Sequence, residues 1–255
     1  RVNNMDKLIE KMGLYDIWTV LFPGAIFQLL FKTIFDYMLS LPEQVKNTTS
    51  VIERTFLFCK SYIYEPGTVY ELLIFLLSSY FVGLLLHEFS SIFKNRVMYK
   101  HGKPIELLLD YQGGVFEQEQ IQVLMPMYIK LKGSDFTLND KEKQREESRS
   151  LFHKINMDMQ RRKRANEYVK LNVIYNTCAT LGVAIMLILC LALAFEIEFM
   201  ILKRQDLILS FISLDVVLIL GIYILLNRSK RYYRYWTKNI VLAYQDLYIS
   251  EETNS

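Results

Sequence analysis

The sequence predicts an all-α integral membrane protein with four transmembrane helices. Four apolar stretches are each close to 20 residues long, the length that a helix needs to cross the hydrocarbon core of a bilayer. The 255 residues are 52% hydrophobic and include only 10 Gly and 5 Pro. Few turn-forming residues together with long apolar stretches favour helices over a barrel or a sandwich. Runs of this length also count against core helices of a soluble protein.

The predicted spans divide the chain into four parts. The spans have these approximate bounds in the sequence: 17–35, 69–93, 171–195 and 207–226. The four parts are residues 1–93 (a surface helix and the first two spans), 94–170 (a cytoplasmic helical segment), 171–226 (the third and fourth spans) and 227–255 (a cytoplasmic C-terminal helix and tail).

Lysine and arginine next to the spans predict their orientation. Four spans place both termini on one side, together with residues 94–170. Most of the flanking basic residues lie on that side, and the positive-inside rule assigns such a side to the cytoplasm. These residues are Lys94, Arg96, Lys100, Lys103, Arg161, Arg162, Lys163, Arg164, Lys170, Arg228, Lys230, Arg231 and Arg234. We therefore expect the chain in the inner (plasma) membrane, with the lipid bilayer as partner and both termini cytoplasmic.

The third span is predicted to be the membrane half of a longer helix. No Pro and only one Gly, Gly182, interrupt the sequence from about residue 138 to residue 195, so one continuous helix is expected there. The alternating charges of residues 140–149 are typical of a solvated helical face. An apolar face follows at four-residue spacing, formed by Leu151, Ile155 and Met159.

The fourth span also continues without a helix breaker, through residues 227–248, so the two long helices are expected to form a cytoplasmic stalk. Its extension carries a heptad-like seam at spacings of three and four residues. The seam residues are Tyr233, Trp236, Ile240, Ala243 and Leu247. Two interpretations are open. The seam packs on the apolar face at residues 151–159 of the same chain, or it joins subunits of a homo-oligomer.

Smaller features near the termini also lead to predictions. Residues 5–12 place Met and Leu side chains on one helical face, which indicates a surface helix at the headgroup boundary, although a frayed start fits equally well. Pro23 and Gly24 predict a kink in the first span, for packing against a neighbour or as a gating hinge. Residues 251–255 are expected to form a disordered tail.

Ionisable residues at membrane depth are the main functional candidates, because burying them in a bilayer is costly. Asp215 lies near the middle of the fourth span, and His87 and Glu88 lie in the inner half of the second. One hypothesis is that these three side chains line a polar pathway for ions or protons. The alternative is that Asp215 is protonated and hydrogen-bonded to a neighbouring helix, for example to Ser78 or Ser79.

Four consecutive basic residues, Arg161, Arg162, Lys163 and Arg164, form the strongest charge cluster. Such a cluster can bind a nucleic acid or a nucleotide messenger, or anionic lipid. The simpler interpretation is an anchor that sets the topology of the third span. A net charge of only +3 indicates no general affinity for nucleic acid.

The sequence contains no motif that indicates an enzyme, a metal site or a cofactor. His87-Glu88 lacks the second histidine of a zinc-protease helix, because Ser91 stands at that position. Three widely spaced cysteines, Cys59, Cys178 and Cys190, fit neither a disulfide framework nor a zinc cluster. Nucleotide-binding loops and nucleophile elbows are also missing. We therefore expect no catalytic residues and no cofactor.

The chain resembles small multi-pass membrane proteins that accompany prokaryotic antiphage systems, CRISPR-based and cyclic-nucleotide-based ones included. The resemblance lies in Tyr15-Asp16 and Pro23-Gly24 at the entry to the first span, in HEFSSIF at residues 87–93, in residues 148–151, and in the tyrosine-rich exit from the fourth span. The resemblance implies a membrane effector or infection sensor that disturbs the inner membrane when triggered.

The leading functional hypothesis is an oligomeric membrane effector or sensor. Its cytoplasmic region receives a signal, and its spans alter the permeability of the membrane. The alternative is a non-conducting scaffold that docks a soluble cytoplasmic protein on its helices. A secondary transporter fits less well, because four spans without an internal repeat or paired broken helices lack the usual transporter pattern.

Overall fold

The computed structural model describes residues 13–39, 69–110, 114–133, 136, 140–162, 166–201 and 205–253. Within these ranges all regular secondary structure is helical, which confirms the all-α prediction. The chain divides into two compact units. The first, here called the span unit, comprises the described residues up to Phe93 together with Asn176–Asn227. The second, here called the helical module, comprises those of Lys94–Tyr175 and of the segment from Arg228 onward.

The longer helices are numbered in chain order. They are α1 (Phe22–Leu39), α2 (Val69–Phe93), α3 (Gln118–Lys132), α4 (Lys141–Arg161), α5 (Asn166–Ile201) and α6 (Gln205–Thr253). Short helical segments lie beside them: Leu14–Asp16, the π-helical turns Ile17–Leu21 and Lys94–Met98, and the 3₁₀ turn Pro104–Glu106.

Four helical stretches are long and apolar enough to cross a membrane, which confirms that part of the prediction. They are Ile17–Ile34, Val69–Met98, Tyr168–Ile197 and Ile212–Glu251. The first and third agree with the predicted bounds to within three residues. The second and fourth run well beyond the predicted inner ends at residues 93 and 226, because no residue there breaks the helix.

The first two span helices approach each other backbone to backbone. A Cβ atom on Gly24 would lie 1.9 Å from the carbonyl oxygen of Ser79, and one on Gly83 would lie 2.0 Å from that of Val20. Such a crossing requires glycine at both positions, the small-residue packing typical of membrane helices.

The π-helical turn Ile17–Leu21 ends two residues before Pro23, whose missing N–H disturbs regular α-helical hydrogen bonding. Pro23 and Gly24 thus serve helix packing, while a hinge role stays a prediction.

An apolar cluster joins the first span helix to the third and fourth. It brings α1, α5 and α6 together through the buried side chains of Ile34, Ile188, Ala192, Phe195 and Leu218. Ile188 and Ala192 are completely buried and lie four residues apart, so one face of α5 faces this cluster.

The helical module has a core of its own, built mainly by α3, α4 and α6. The apolar face of α4 is buried here, with Ile155 fully covered. The predicted seam on α6 packs into the same core: Tyr233, Ile240 and Leu247 are buried, and the ring of Trp236 meets that of Phe152 at 5.2 Å. The seam is therefore covered within one chain, as the first of the two interpretations predicted, and it is not exposed for a partner subunit.

The charged residues at 140–149 are mostly exposed, as predicted, and several of them also bind the adjoining loop. Arg145 donates to the carbonyl oxygen of His101 at 2.8 Å, and Arg149 pairs with Glu106 at 2.6 Å. Ser148 accepts from the backbone N–H of Leu109 at 3.3 Å. Further links join Gln144 to the Leu109 carbonyl and Glu147 to Lys132. The mixed charges therefore hold the loop at residues 101–110 on α4, a role that charge alternation alone does not reveal.

Two predicted helix bounds need correction. The single helix expected from residue 138 to residue 195 is divided, because α4 ends at Arg161 and α5 begins at Asn166. Arg162 leaves the helix with a ψ of 3°, while its guanidinium bonds Asp158 at 3.0 Å and also pairs with Glu251. The tail expected from Glu251 is helical as far as Thr253. The predicted surface helix at residues 5–12 and the outer loop at 40–68 lie outside the described residues.

Replacement of Gly83 by Ala tests the close crossing of the first two spans. The new methyl group would collide with the Val20 carbonyl, so the helices must separate, and we expect a loss of about 1–3 kcal/mol of stability. The measurement is thermal unfolding in detergent followed by circular dichroism. Gly221→Ala is the matched control, because its methyl group would meet only Ile185, at 3.9 Å. Equal unfolding temperatures for the two variants would contradict the crossing.

The ion pair of Glu106 predicts a pH dependence of stability. Burial alone would raise the pKa of Glu106, but the Lys103 backbone N–H, at 3.0 Å, and Arg149 outweigh it and hold the pKa below its usual value. A lowered folded pKa stabilises above the unfolded value of about 4.3, and the gain is lost as the pH falls through the folded pKa.

Glu106→Gln should therefore cost about 1–2 kcal/mol at pH 7 and progressively less as the pH is lowered from about 4 to 3. Unfolding of wild type and variant across this pH range measures the difference. Removal of an exposed carboxyl group by Glu119→Gln is the control and should change stability by less than about 0.5 kcal/mol. A constant penalty from pH 7 to pH 3 would show that the charge of Glu106 is not involved.

Candidate functional site

Two carboxyl groups are buried together in the span unit. Asp215 on α6 is 8% exposed and Glu196 on α5 is 6% exposed. The two side chains interact with each other. Oε1 of Glu196 and Oδ1 of Asp215 are buried with no hydrogen-bond partner among the described residues. We call Glu196 and Asp215 the carboxyl pair.

The sequence places Glu196 on the buried face of α5 by helical spacing. Every fourth residue before it is buried, so the carboxyl group continues a stripe that is otherwise apolar or hydroxylated. The stripe consists of Thr180, Ala184, Ile188, Ala192 and Glu196. On α6, Asp215 lies three residues before Leu218, which belongs to the same apolar cluster as Ile188 and Ala192. The packing of the two helices therefore brings the carboxyl groups together.

The environment of the carboxyl pair determines its chemistry. Two ionised carboxylates in contact repel each other, and an apolar surrounding strengthens the repulsion and removes the water that would weaken it. The pair is therefore stable only when a proton is shared between the two groups or a cation lies between them. Such a pair can bind and release a proton or a small cation.

Sequence reasoning identified Asp215 but missed Glu196. The predicted third span ends at about Phe195, which leaves Glu196 outside it. The helix continues to Ile201, which keeps Glu196 inside it. The four-residue spacing from Ile188 and Ala192 was the signal that could have placed Glu196 on the inner face.

The other predicted intramembrane residues lie elsewhere. Nδ1 of His87 is 3.4 Å from Oγ1 of Thr180, and its ring meets the ring of Tyr15 edge to face at 6.2 Å. Thr180 precedes Glu196 by 16 residues, about 24 Å along α5. Glu88, the next residue on α2, is exposed. The structure thus does not bring His87 or Glu88 to Asp215.

The serines considered as partners of Asp215 bond to another residue. Both Ser78 and Ser79 donate to Oε1 of Gln28, at 3.4 Å and 3.0 Å. This contact joins the first two span helices beside the crossing at Gly24. The interhelical polar contact expected of Asp215 exists instead with Glu196.

The basic cluster at residues 161–164 is only partly described. Arg161 is exposed at the end of α4, whereas Arg162 is engaged by Asp158 and Glu251. Lys163 and Arg164 lie outside the described residues. Whether this cluster binds an anionic ligand stays a prediction.

Groups of three or more His, Cys, Asp or Glu side chains suited to hold a metal ion are not found among the described residues. Comparison with protein-family models, with curated proteins and with solved structures found no match to this chain.

Infrared difference spectroscopy tests the state of the carboxyl pair. If the pair holds one proton, the protein shows the C=O stretching band of a protonated carboxyl group at neutral pH. The double variant Glu196→Gln, Asp215→Asn should lose that band, while Glu88→Gln keeps it because Glu88 is not part of the pair. A band of equal intensity in wild type and double variant would contradict proton sharing.

Proposed function

We propose that the chain is an oligomeric, multi-pass membrane effector or sensor that changes the permeability of the inner membrane to protons or small cations. The helical module receives the trigger, and the span unit responds. The resemblance to membrane proteins of antiphage systems supports a role in defence against phage infection. The carboxyl pair is the single observation that carries the permeability part of the proposal.

The proposed orientation places both termini and the helical module in the cytoplasm. Support comes from the excess of Lys and Arg next to the inner ends of the spans. In this orientation the module is accessible to signals that arise in the cytoplasm during infection.

The carboxyl pair supports a pathway for positive charge because ionisable groups at membrane depth typically mark ion or proton routes. A purely structural hydrogen bond between helices would be served by neutral side chains such as the Gln28–Ser79 contact in the same unit. Two acidic groups in direct contact instead favour binding of a proton or a cation, and release follows when the helices move apart.

A flux assay tests this function. Purified protein is reconstituted in vesicles that contain a pH-sensitive or a potassium-sensitive dye, and leakage is followed after an ion gradient is applied. Glu196→Gln and Asp215→Asn should each reduce flux at least tenfold, because a neutral side chain cannot exchange a proton or hold a cation. Glu88→Gln is the matched control and should retain wild-type flux.

Two outcomes would contradict the permeability function. One is that vesicles with wild-type protein leak no faster than empty vesicles, at neutral and at acidic pH. This comparison is made with and without an extract of phage-infected cells, which serves as a source of the trigger. The other is unchanged flux in both carboxyl variants.

A second candidate function is a non-conducting scaffold that docks a soluble cytoplasmic protein. It is favoured by the separate core of the helical module and by an exposed apolar edge on α3. Val123 and Ile129 on this edge are 66% and 37% exposed, and Pro126 between them is exposed as well. Two results together would favour the scaffold. The vesicles show no flux, and wild type captures a cytoplasmic protein that Val123→Glu does not capture.

A further inference from the structure

We infer that α6 carries a binding site for anionic phospholipid headgroups, formed by Arg228, Arg231, Tyr232 and Tyr235. We call these four residues the headgroup ladder. This inference rests on the membrane insertion proposed above but not on permeability, since a scaffold with the same spans would bind lipid equally well.

The geometry of the ladder is set by helical spacing. Residues three and four apart share one face of a helix. The guanidinium of Arg228 lies over the ring of Tyr232, 5.5 Å from its centre, and the rings of Tyr232 and Tyr235 meet edge to face at 6.3 Å. Arg228, Arg231 and Tyr235 are exposed, and Tyr232 is partly exposed.

Contacts on the buried face of α6 keep the ladder on the exposed face of the helix. Ser229 is fully buried and donates to the carbonyl oxygen of Tyr175 at 3.1 Å. Tyr233 is stacked on the ring of Tyr175 at 4.5 Å. Because these contacts hold one side of α6 inside the helical module, α6 cannot rotate to bury the ladder.

The charge along this part of α6 is one-sided. Residues 216–245 contain no Asp or Glu. The same stretch contains five basic residues: Arg228, Lys230, Arg231, Arg234 and Lys238. A cluster of basic residues immediately cytoplasmic of a membrane helix is the typical signature of a surface that binds anionic lipid.

The position and chemistry of the ladder select a lipid headgroup as its occupant. Arg228 follows the last residue of the predicted fourth span, Leu226, by two positions, and the ladder extends about 10 Å along the helix, roughly the depth of the headgroup layer. The planar guanidinium matches the two free oxygens of a phosphodiester. Tyrosine is the side chain that proteins favour at this level of a bilayer.

Native mass spectrometry of the detergent-solubilised chain tests the inference, with phosphatidylglycerol and phosphatidylcholine as the two probes. Wild type should retain phosphatidylglycerol at least fivefold more tightly than phosphatidylcholine. Arg228→Gln, Arg231→Gln should lose about 25-fold in affinity for phosphatidylglycerol, because each of the two basic residues near an anionic lipid contributes roughly fivefold.

Matched variants separate binding from folding. Lys141→Gln, Lys143→Gln removes the same charge from exposed positions on α4 and should bind phosphatidylglycerol like wild type. Arg228→Lys, Arg231→Lys keeps the charge and should retain most of the affinity. Equal retention of both lipids by wild type, or equal losses in the ladder and α4 variants, would overturn the site. Binding of a short RNA to the ladder that phosphatidylglycerol does not displace would overturn the choice of lipid as the occupant.

The flux assay is an independent measurement on the same protein. If flux fails while phosphatidylglycerol binding holds, the permeability function is wrong and the ladder stands. If binding fails while flux depends on Glu196 and Asp215, the ladder is wrong and the permeability function stands.

Discussion

The span unit is governed by the requirement that polar groups in an apolar environment be compensated by the protein itself. Continuous helices satisfy the backbone groups, and the Gln28–Ser79 contact satisfies polar side chains between the first two span helices. The carboxyl pair departs from this requirement, because two acidic groups cannot compensate each other without a proton or a cation. This unmet requirement makes Glu196 and Asp215 the functional centre of the proposed mechanism.

The helical module meets the opposite requirement, since it must bury apolar surface that water would otherwise contact. The apolar face of α4 and the seam of α6 cover each other in one core, with Ile155 and Ile240 almost completely buried. Charged side chains on the other face of α4 hold the adjoining loop through Arg145 and Arg149. A module with its own core can change its surface contacts without unfolding, which the proposed role as a receiver of signals requires.

Much of the fold could be predicted from the sequence, but the carboxyl pair could not be predicted completely. Span length, the seam on α6 and the apolar face of α4 follow from residue spacing, which is a local property. The partner of Asp215 depends on which turn of α5 lies beside it, and that register comes from tertiary packing. The break after Arg161 could not be predicted either, because the contact of Arg162 with Glu251 joins residues 89 positions apart and leaves no local pattern.

Topology mapping with single cysteines tests the proposed four-span orientation most directly. In a background with Cys59, Cys178 and Cys190 replaced by Ser, one cysteine is introduced at Ser50, Ser134 or Ser255. A membrane-impermeant maleimide should label position 50 in intact cells, and positions 134 and 255 only after permeabilisation. Labelling of position 134 or 255 in intact cells would contradict four spans with cytoplasmic ends.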